Sequence, residues 1–342
     1  MIRVGTIGTS WITERFIEAC QLTNQYELRA VYSRNAYRAK DIATVYKATY
    51  YSDELNNLLF DPEIDLIYVA SPNSLHYEHA MRAIKAGKHV IIEKPMFTST
   101  KEWHQAHAEA ERLGVKIFEA ALHIHNRNYQ RMKQWVQKKL MDAEQPFLGA
   151  NFNIGQYSSR YFAYNHALEQ HRELPNVFTL EYAGGSLMDL GVYPIYVAMD
   201  LFGSPDSLRY NAQKGPNGVD LFGHILLTYS DFQVNIFVSK AAHSTLSSEI
   251  YIDDETVVIH DISRISQVDL VNKEGQVANV IKYQPENVMY DEVLNFSEII
   301  RNPDDLHHQL QYEGWKQLSL QVAQTMELLR KSANIVFDDS TI

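Results

Sequence analysis

Cysteine is nearly absent, with Cys20 standing alone among 342 residues. No intrachain disulfide can form, and the composition suits a reducing compartment, so a cytoplasmic location is expected. Positive charge is in deficit: 31 Lys and Arg face 42 Asp and Glu, for a net charge of −11. Such a chain is not expected to take nucleic acid or an acidic membrane surface as its main partner. An anionic ligand would need basic residues gathered locally. No apolar run approaches the roughly 20 residues that span a bilayer. The first residues, Met1 to Gly8, hold a short apolar stretch broken by glycine, which suits a strand better than a signal peptide. No internal repeat and no low-complexity linker stand out.

What is present is enough apolar material for a large core, at 45% of the chain. The length exceeds what one core usually serves, so two domains are expected. Up to about residue 120, short β-rich runs alternate with helical patterns. Candidate strands are Ile2–Ile7, Glu27–Tyr32, Asp65–Ala70, His89–Ile92 and Val115–Phe118. They are rich in β-branched residues, as expected of a sheet covered on both faces. Between them, Ile12, Phe16, Ile17 and Cys20 share one helical face, and Tyr77, Met81 and Ile84 another, closed by Gly87. This alternation predicts an α/β domain with a doubly wound, mainly parallel sheet.

After about residue 145 the pattern changes. Val219, Leu221, Ile225, Leu227 and Tyr229 alternate at period two, and Phe232, Val234, Ile236 and Val238 repeat this after a turn at Ser230–Asp231. That is hairpin patterning with one face buried. Further strands are expected at Phe152–Gln156, Glu249–Ile252, Thr256–His260 and Gln267–Val271. The second domain is therefore α+β with a predominantly antiparallel sheet. Near the C-terminus, Trp315, Leu318, Val322 and Leu329 mark one face of a long helix.

The turn after the first strand reads Gly8-Thr9-Ser10-Trp11-Ile12-Thr13. A full dinucleotide fingerprint would be G-x-G-x-x-G, and only its first glycine is kept. Gly8 permits the tight turn, and Ser10 is small enough to let a pyrophosphate reach the N–H groups at the helix start. Taken alone, these residues equally suit an ordinary strand–helix turn. At the end of the second strand stand Ser33 and Arg34, with Arg38 one helical turn on. An NAD site usually places a carboxylate here for the ribose hydroxyls. A hydroxyl and two guanidinium groups suit the 2′-phosphate of NADP instead. NADP is the expected cofactor, with NAD as the alternative.

Ser71-Pro72-Asn73 and His76 follow one buried strand, and Glu93-Lys94-Pro95 follow the next. Ligands bind at such C-terminal strand ends. A charged pair directly after an apolar strand is costly unless it has partners or a task. Lys94 there can donate to a substrate oxygen and stabilise developing alkoxide charge. The competing reading is a structural Glu93–Lys94 ion-pair network.

With these motifs the chain resembles the Gfo/Idh/MocA oxidoreductases, named for glucose–fructose oxidoreductase and inositol dehydrogenase. The resemblance runs over nearly the whole chain. It is carried by Pro72-Asn73-x-x-His76, Gly87-Lys88-His89-Val90, Glu93-Lys94-Pro95 and the stretch from Gly184-Gly185-Ser186 to Asp189 and Tyr193. It implies a Rossmann domain over residues 1–122, with Gly8, Thr9, Ser10, Trp11, Ile12, Ser33, Arg34, Arg38, Ser71, Pro72, Asn73, His76, Glu93 and Lys94 around the cofactor. A domain with an open sheet, for substrate binding and oligomerisation, then covers residues 123–342, its C-terminal helices able to pack back on the first. It implies that Lys94 is the catalytic lysine, that Asp189 and Tyr193 enter the same site, and that a sharp, cis Lys94–Pro95 turn is present. Many relatives carry His in place of Tyr193; tyrosine resembles the glucose–fructose oxidoreductase and dimeric dihydrodiol dehydrogenase branch, which tends to use NADP.

Asp189 and Tyr193 are four apart and share a face if helical. The carboxylate can orient the phenol or a substrate hydroxyl, and a lysine nearby can favour the phenolate. Equally, Asp189 suits an N-cap or a core hydrogen bond. His123-x-His125 lacks a matching metal-ligand set, so no metal is expected; on a strand both would face the pocket. Arg160 lies in a polar loop, where it either reaches substrate or faces solvent, and His307-His308 suit a solvated turn. The expected activity is hydride transfer between nicotinamide and a sugar-like, polyol or diol hydroxyl or carbonyl. The rival is a catalytically silent dinucleotide or sugar sensor. An open sheet must cover its outer face, so a homodimer or homotetramer through it is expected.

Overall fold

The structure, a computed structural model, describes residues 1–141 and 147–337. The change of pattern read near residue 145 lies outside the described residues, as do residues 338–342. The first elements are β1 (Ile2–Ile7), α1 (Trp11–Thr23), β2 (Tyr26–Tyr32), α2 (Ala36–Tyr46), β3 (Tyr50–Ser52), α3 (Leu55–Leu59), β4 (Leu66–Val69), α4 (His76–Lys85), β5 (His89–Glu93), α5 (Thr100–Leu113) and β6 (Ile117–Ala120). There follow α6 (Leu122–His125), α7 (Arg127–Met141), β7 (Phe147–Gly155), α8 (Tyr161–Glu169), α9 (Val192–Phe202), β8 (Ser207–Lys214), β9 (Asp220–Thr228) and β10 (Gln233–Ser239). The chain ends with β11 (Ser248–Ile252), β12 (Glu255–His260), β13 (Gln267–Val271), β14 (Val277–Ile281), α10 (Tyr290–Arg301) and α11 (Leu306–Ser332).

Two compact units form. The first holds Met1–Leu122 with Pro285–Leu320, and the second His123–Gln284 with Gln321–Ile342. The first is built on a six-stranded sheet in the order β3-β2-β1-β4-β5-β6, parallel throughout. The register pairs Ile7 with Tyr32 and Val69, and Val69 with Ile92, so the turns after β1, β2, β4 and β5 emerge together at one end of the sheet. The central strand β4 is buried on both faces, hence its unbroken apolar run from Leu66 to Val69. Phe16 of α1 stacks on Tyr68 of β4 with centroids 3.8 Å apart. Met289, Val293, Phe296 and Ile299 of the α10 region, and Tyr312 of α11, complete the same core.

The second unit carries an eight-stranded sheet in the order β14-β13-β12-β11-β7-β10-β9-β8. Every pairing is antiparallel except β7 with β10. One face is apolar: Phe152, Ile225, Ile236, Ile250, Val257 and Val268 are all buried. The other bears Asn151, Leu226, Asn235, Glu249, Tyr251 and Val258, all half-buried or exposed.

Some boundaries differ from those read in sequence. The α4 stripe is rotated: His76, Ala80, Ala83 and Ile84 are buried, while Tyr77 and Met81 are only half-buried, because small alanines let the helix sit close to its sheet. Strand β3, at three residues, is too short to show a period. Strand β14 is an exposed edge without apolar alternation, and β8 has one buried side chain, Tyr210, so neither announces itself. His307 and His308 lie in the first turn of α11 rather than in a turn; the His308 N–H donates to Asp305 Oδ1 at 3.0 Å, which caps that helix start.

Candidate active site

At the end of β1 the backbone closes tightly on β4. Gly8 has φ +116°, and a Cβ there would lie 2.5 Å from the carbonyl oxygen of Ala70. Only glycine fits, on both counts. The turn delivers Ser10 to the start of α1 in extended conformation, and its side chain makes no capping hydrogen bond to the helix. The N–H groups of the first turn are thus not taken by a side-chain cap, which is the arrangement that receives a phosphate. At the start of α2 the reverse holds: Asn35 caps it by accepting from the N–H groups of Tyr37 and Arg38. Ser33 is half-buried, and Arg34 and Arg38 are exposed, with no carboxylate from Tyr32 to Arg38. Beyond the end of β4, His79 of α4 places Nδ1 2.9 Å from Ser71 Oγ. Burial pushes His79 down to about 4, opposed by Glu78 and helped by His76, Arg82 and, least, Arg34. The donor set suits a dinucleotide diphosphate with an additional phosphate on its ribose.

Lys94 stands at the end of β5. From Val90 to Phe97 every residue is buried except Lys94, which is half-buried. Its peptide bond to Pro95 is cis, as the resemblance implied. Three braces hold the turn. Glu93 accepts from the Tyr68 hydroxyl at 2.6 Å. Glu119 of β6 accepts from the Met96 N–H at 2.9 Å, and is itself fixed by Ser319 at 2.6 Å, which accepts from Trp103 Nε1 at 3.1 Å. His76 places Nδ1 3.0 Å from the Pro95 carbonyl and Nε2 2.8 Å from that of Ser71. At 1% exposure, His76 joins the two turns from beneath. Lys88 of the Gly87-Lys88-His89-Val90 motif works at the opposite end of β5, donating to the carbonyls of Asp61 and Ile64 at 2.7 Å each.

Within reach of the Glu93 charge lies a buried acid that sequence reading missed. Glu292 of α10 is 1% exposed, and neither carboxyl oxygen has a hydrogen-bond partner among the described residues. Burial, then the charge of Glu93, pushes it well above the ordinary carboxylate range. Burial raises Glu93 too, opposed by Lys94. The folded protein therefore keeps a proton on Glu292 that the unfolded chain releases near pH 4.5. Stability from this source is full below that pH and declines as pH rises toward the folded value. Glu292→Gln, which cannot ionise, should melt at a temperature that gains steadily on wild type as the pH is raised above the ordinary carboxylate range. Melting curves at several pH values check this; a gap that stays constant with pH would exclude ionisation of Glu292 as its cause.

In the second unit, Asp189 and Tyr193 are the only residues from Ala183 to Met199 that are not buried. They do not share a regular α-helical face, because Leu187–Gly191 forms a π-helical turn that runs into α9. Such wide turns recur at functional sites because they re-aim side chains. Gly184 and Gly185 make the turn possible. A Cβ on Gly184 would lie 2.6 Å from the Val177 carbonyl, and one on Gly185 would strike the Asp220 carboxylate. Asp220 is buried and accepts from the Leu187 N–H at 2.7 Å and the Tyr210 hydroxyl at 2.8 Å. Asp189 forms an ion pair with Lys240, the residue after β10. His123 approaches the Tyr193 backbone carbonyl through Nε2 at 3.1 Å, and the two rings meet edge to face at 5.0 Å.

The weaker candidates fall out differently. His123 and His125 lie on helix α6, not on a strand, and both are buried. Burial pushes His125 down to about 3, which leaves it neutral. Arg160 is exposed at the start of α8, where its backbone N–H donates to Ser158 Oγ at 3.2 Å and its carbonyl accepts from the Tyr164 N–H at 2.9 Å. Among the described residues no group of three or more His, Cys, Asp or Glu side chains could hold a metal, and no helix is long and apolar enough to cross a membrane.

Residues 2–121 match the family described as oxidoreductases with an NAD-binding Rossmann fold, and residues 152–258 match the Gfo/Idh/MocA C-terminal domain. The chain belongs to the Gfo/Idh/MocA family of oxidoreductases. It is 34% identical to the scyllo-inositol 2-dehydrogenase (NADP(+)) IolU of Bacillus subtilis (strain 168), over 98% of each chain. In fold it is similar to a 3-ketoreductase from Actinomadura kijaniata in complex with NADP and TDP-benzene, with TM-score 0.80, 20% identity and 97% of each chain covered. It is also similar to a levoglucosan dehydrogenase in complex with NADH and levoglucosan, with TM-score 0.78, 17% identity and 97% of each chain covered.

Proposed function

We propose that this protein is an NADP-dependent dehydrogenase or reductase acting on a ring hydroxyl or carbonyl of a cyclic polyol or sugar. When bound, the nicotinamide supplies or accepts the hydride. Lys94 donates to the oxygen on the reacting carbon and stabilises its alkoxide character. Tyr193 relays the proton, and Asp189 orients the phenol or a substrate hydroxyl. The observation that carries this reading is the exposure pattern: Lys94, Asp189 and Tyr193 alone break two long buried runs. A polar side chain held at the surface of an otherwise apolar segment has a task outside the core. Ser33, Arg34 and Arg38 favour NADP over NAD, in keeping with the NADP(+) in the name of the Bacillus subtilis relative.

A silent sensor finds no support, since the Bacillus subtilis relative, 34% identical over 98% of each chain, is named as a dehydrogenase. Self-association across the outer face of the second sheet is part of the same reading, because Leu226, Tyr251 and Val258 would otherwise stay in contact with water. The test is oxidation of scyllo-inositol with NADP+ and with NAD+, then reduction of a panel of keto sugars with NADPH. Turnover of at least one compound is expected, with kcat/KM favouring the phosphorylated cofactor by about tenfold or more, the worth of one charge-assisted contact. Cofactor binding without turnover of any compound would favour the sensor; a preference for NAD would overturn the NADP assignment.

A further inference from the structure

Lys240 follows β10 and is one of the most deeply enclosed cations of the chain, its side chain only 5% exposed. Burying an ammonium is costly unless each proton finds a partner. Here the partners are specific. The ammonium pairs with Asp189 Oδ2, donates to the Val177 carbonyl at 3.3 Å and lies 4.8 Å from the centre of the Phe178 ring. Its charge also opposes the raising of buried Asp220. The Val177 carbonyl accepts from the Gly185 N–H at 3.1 Å as well, and the Asp189 N–H donates to the Gly185 carbonyl at 3.2 Å. One ammonium thus ties together the segment before the double glycine, the π-helical turn after it and the end of β10.

We propose that Lys240 is the positioning residue for Asp189, which it fixes with one carboxylate oxygen committed, so that Asp189 orients substrate rather than accepting its proton. This rests on the function proposed above. A carboxylate held by a buried ammonium keeps a fixed direction, which is what a residue that aligns a hydroxyl requires. Without the ammonium, Asp189 would lose the partner that holds its Oδ2.

The experiment compares wild type, Lys240→Met, Lys240→Arg, Asp189→Asn and Lys240→Met with Asp189→Asn combined. Each is assayed with scyllo-inositol and NADP+, titrated with NADPH by fluorescence and melted. In Lys240→Met the KM for scyllo-inositol should rise about tenfold or more, the worth of one contact to a charged group, with NADPH affinity unchanged. Lys240→Arg should recover part of the loss, since the cation is restored. The double variant should be no worse than the poorer single one, because both remove the same pair. A Lys240→Met protein with wild-type KM, or one whose activity falls only with its folded fraction, overturns the assignment. If wild type turns over nothing, the function reading fails and the melting temperatures decide: losses shared between Lys240 and Asp189 uphold the pairing, and strictly additive losses overturn it.

Discussion

Lys94→Met should lose about 10²–10³ in kcat, the usual cost of removing one donor aimed at a developing oxyanion. Methionine keeps the unbranched apolar stem and removes only the ammonium. The turn should survive, because its braces, Glu93–Tyr68, Glu119–Met96 and His76–Pro95, do not use the lysine side chain. Cofactor affinity should change little. An interaction strongest in the transition state lowers turnover rather than binding when it is removed. Tyr193→Phe should also slow turnover, and the double variant should fall short of the product of the two losses if the residues act as a unit. Steady-state kinetics on wild type, both single variants and the double variant, with a cofactor titration for each, decide the matter. Wild-type turnover alongside collapsed cofactor binding in Lys94→Met would make the lysine a cofactor anchor instead.

Arg34→Ala should weaken NADP binding about ten- to a hundredfold, since each charge-assisted hydrogen bond contributes roughly 1.5–3 kcal/mol. NAD binding should barely change, because NAD lacks the phosphate the guanidinium would meet. Arg34 and Arg38 are both exposed, so neither substitution should disturb the core. The effect should weaken at high ionic strength. Titrating both cofactors against wild type and variant is the measurement; equal losses for the two would move Arg34 away from the 2′-phosphate.

The architecture of the first domain was legible because both sheet faces are covered, which forces apolar strands separated by amphipathic helices. The second sheet was legible where one face is buried, as in β9 and β10, and not where strands are edges, as in β14. Lys94 could be read from the cost of placing a charge after a buried strand. Lys240 carries a fainter form of the same signature, a cation after the one-sided burial of Val234, Ile236 and Val238. Glu292 left a fainter trace, an acid on the helical face that holds Met289, Val293 and Phe296. Glu119, Asp220 and His76 act through contacts between residues far apart in the chain, and no local pattern encodes those. The histidines at 123 and 125 misled because their spacing suits a strand, whereas the chain has already turned into a helix there.

The closeness of Gly8 to Ala70 bears on how this nucleotide fold can drift. Of the three glycines in the usual fingerprint, two can be exchanged for Ser10 and Thr13 without closing the turn. The first cannot, because a single added carbon would lie 2.5 Å from the Ala70 carbonyl oxygen, just beyond β4. At its first position the tolerance of the motif is therefore set by one backbone atom of the fold itself, whatever the ligand requires of the second. A search that demands all three glycines would pass this chain by. One that asks for a single glycine at a parallel strand's end, followed by a small polar residue two positions on, would find it.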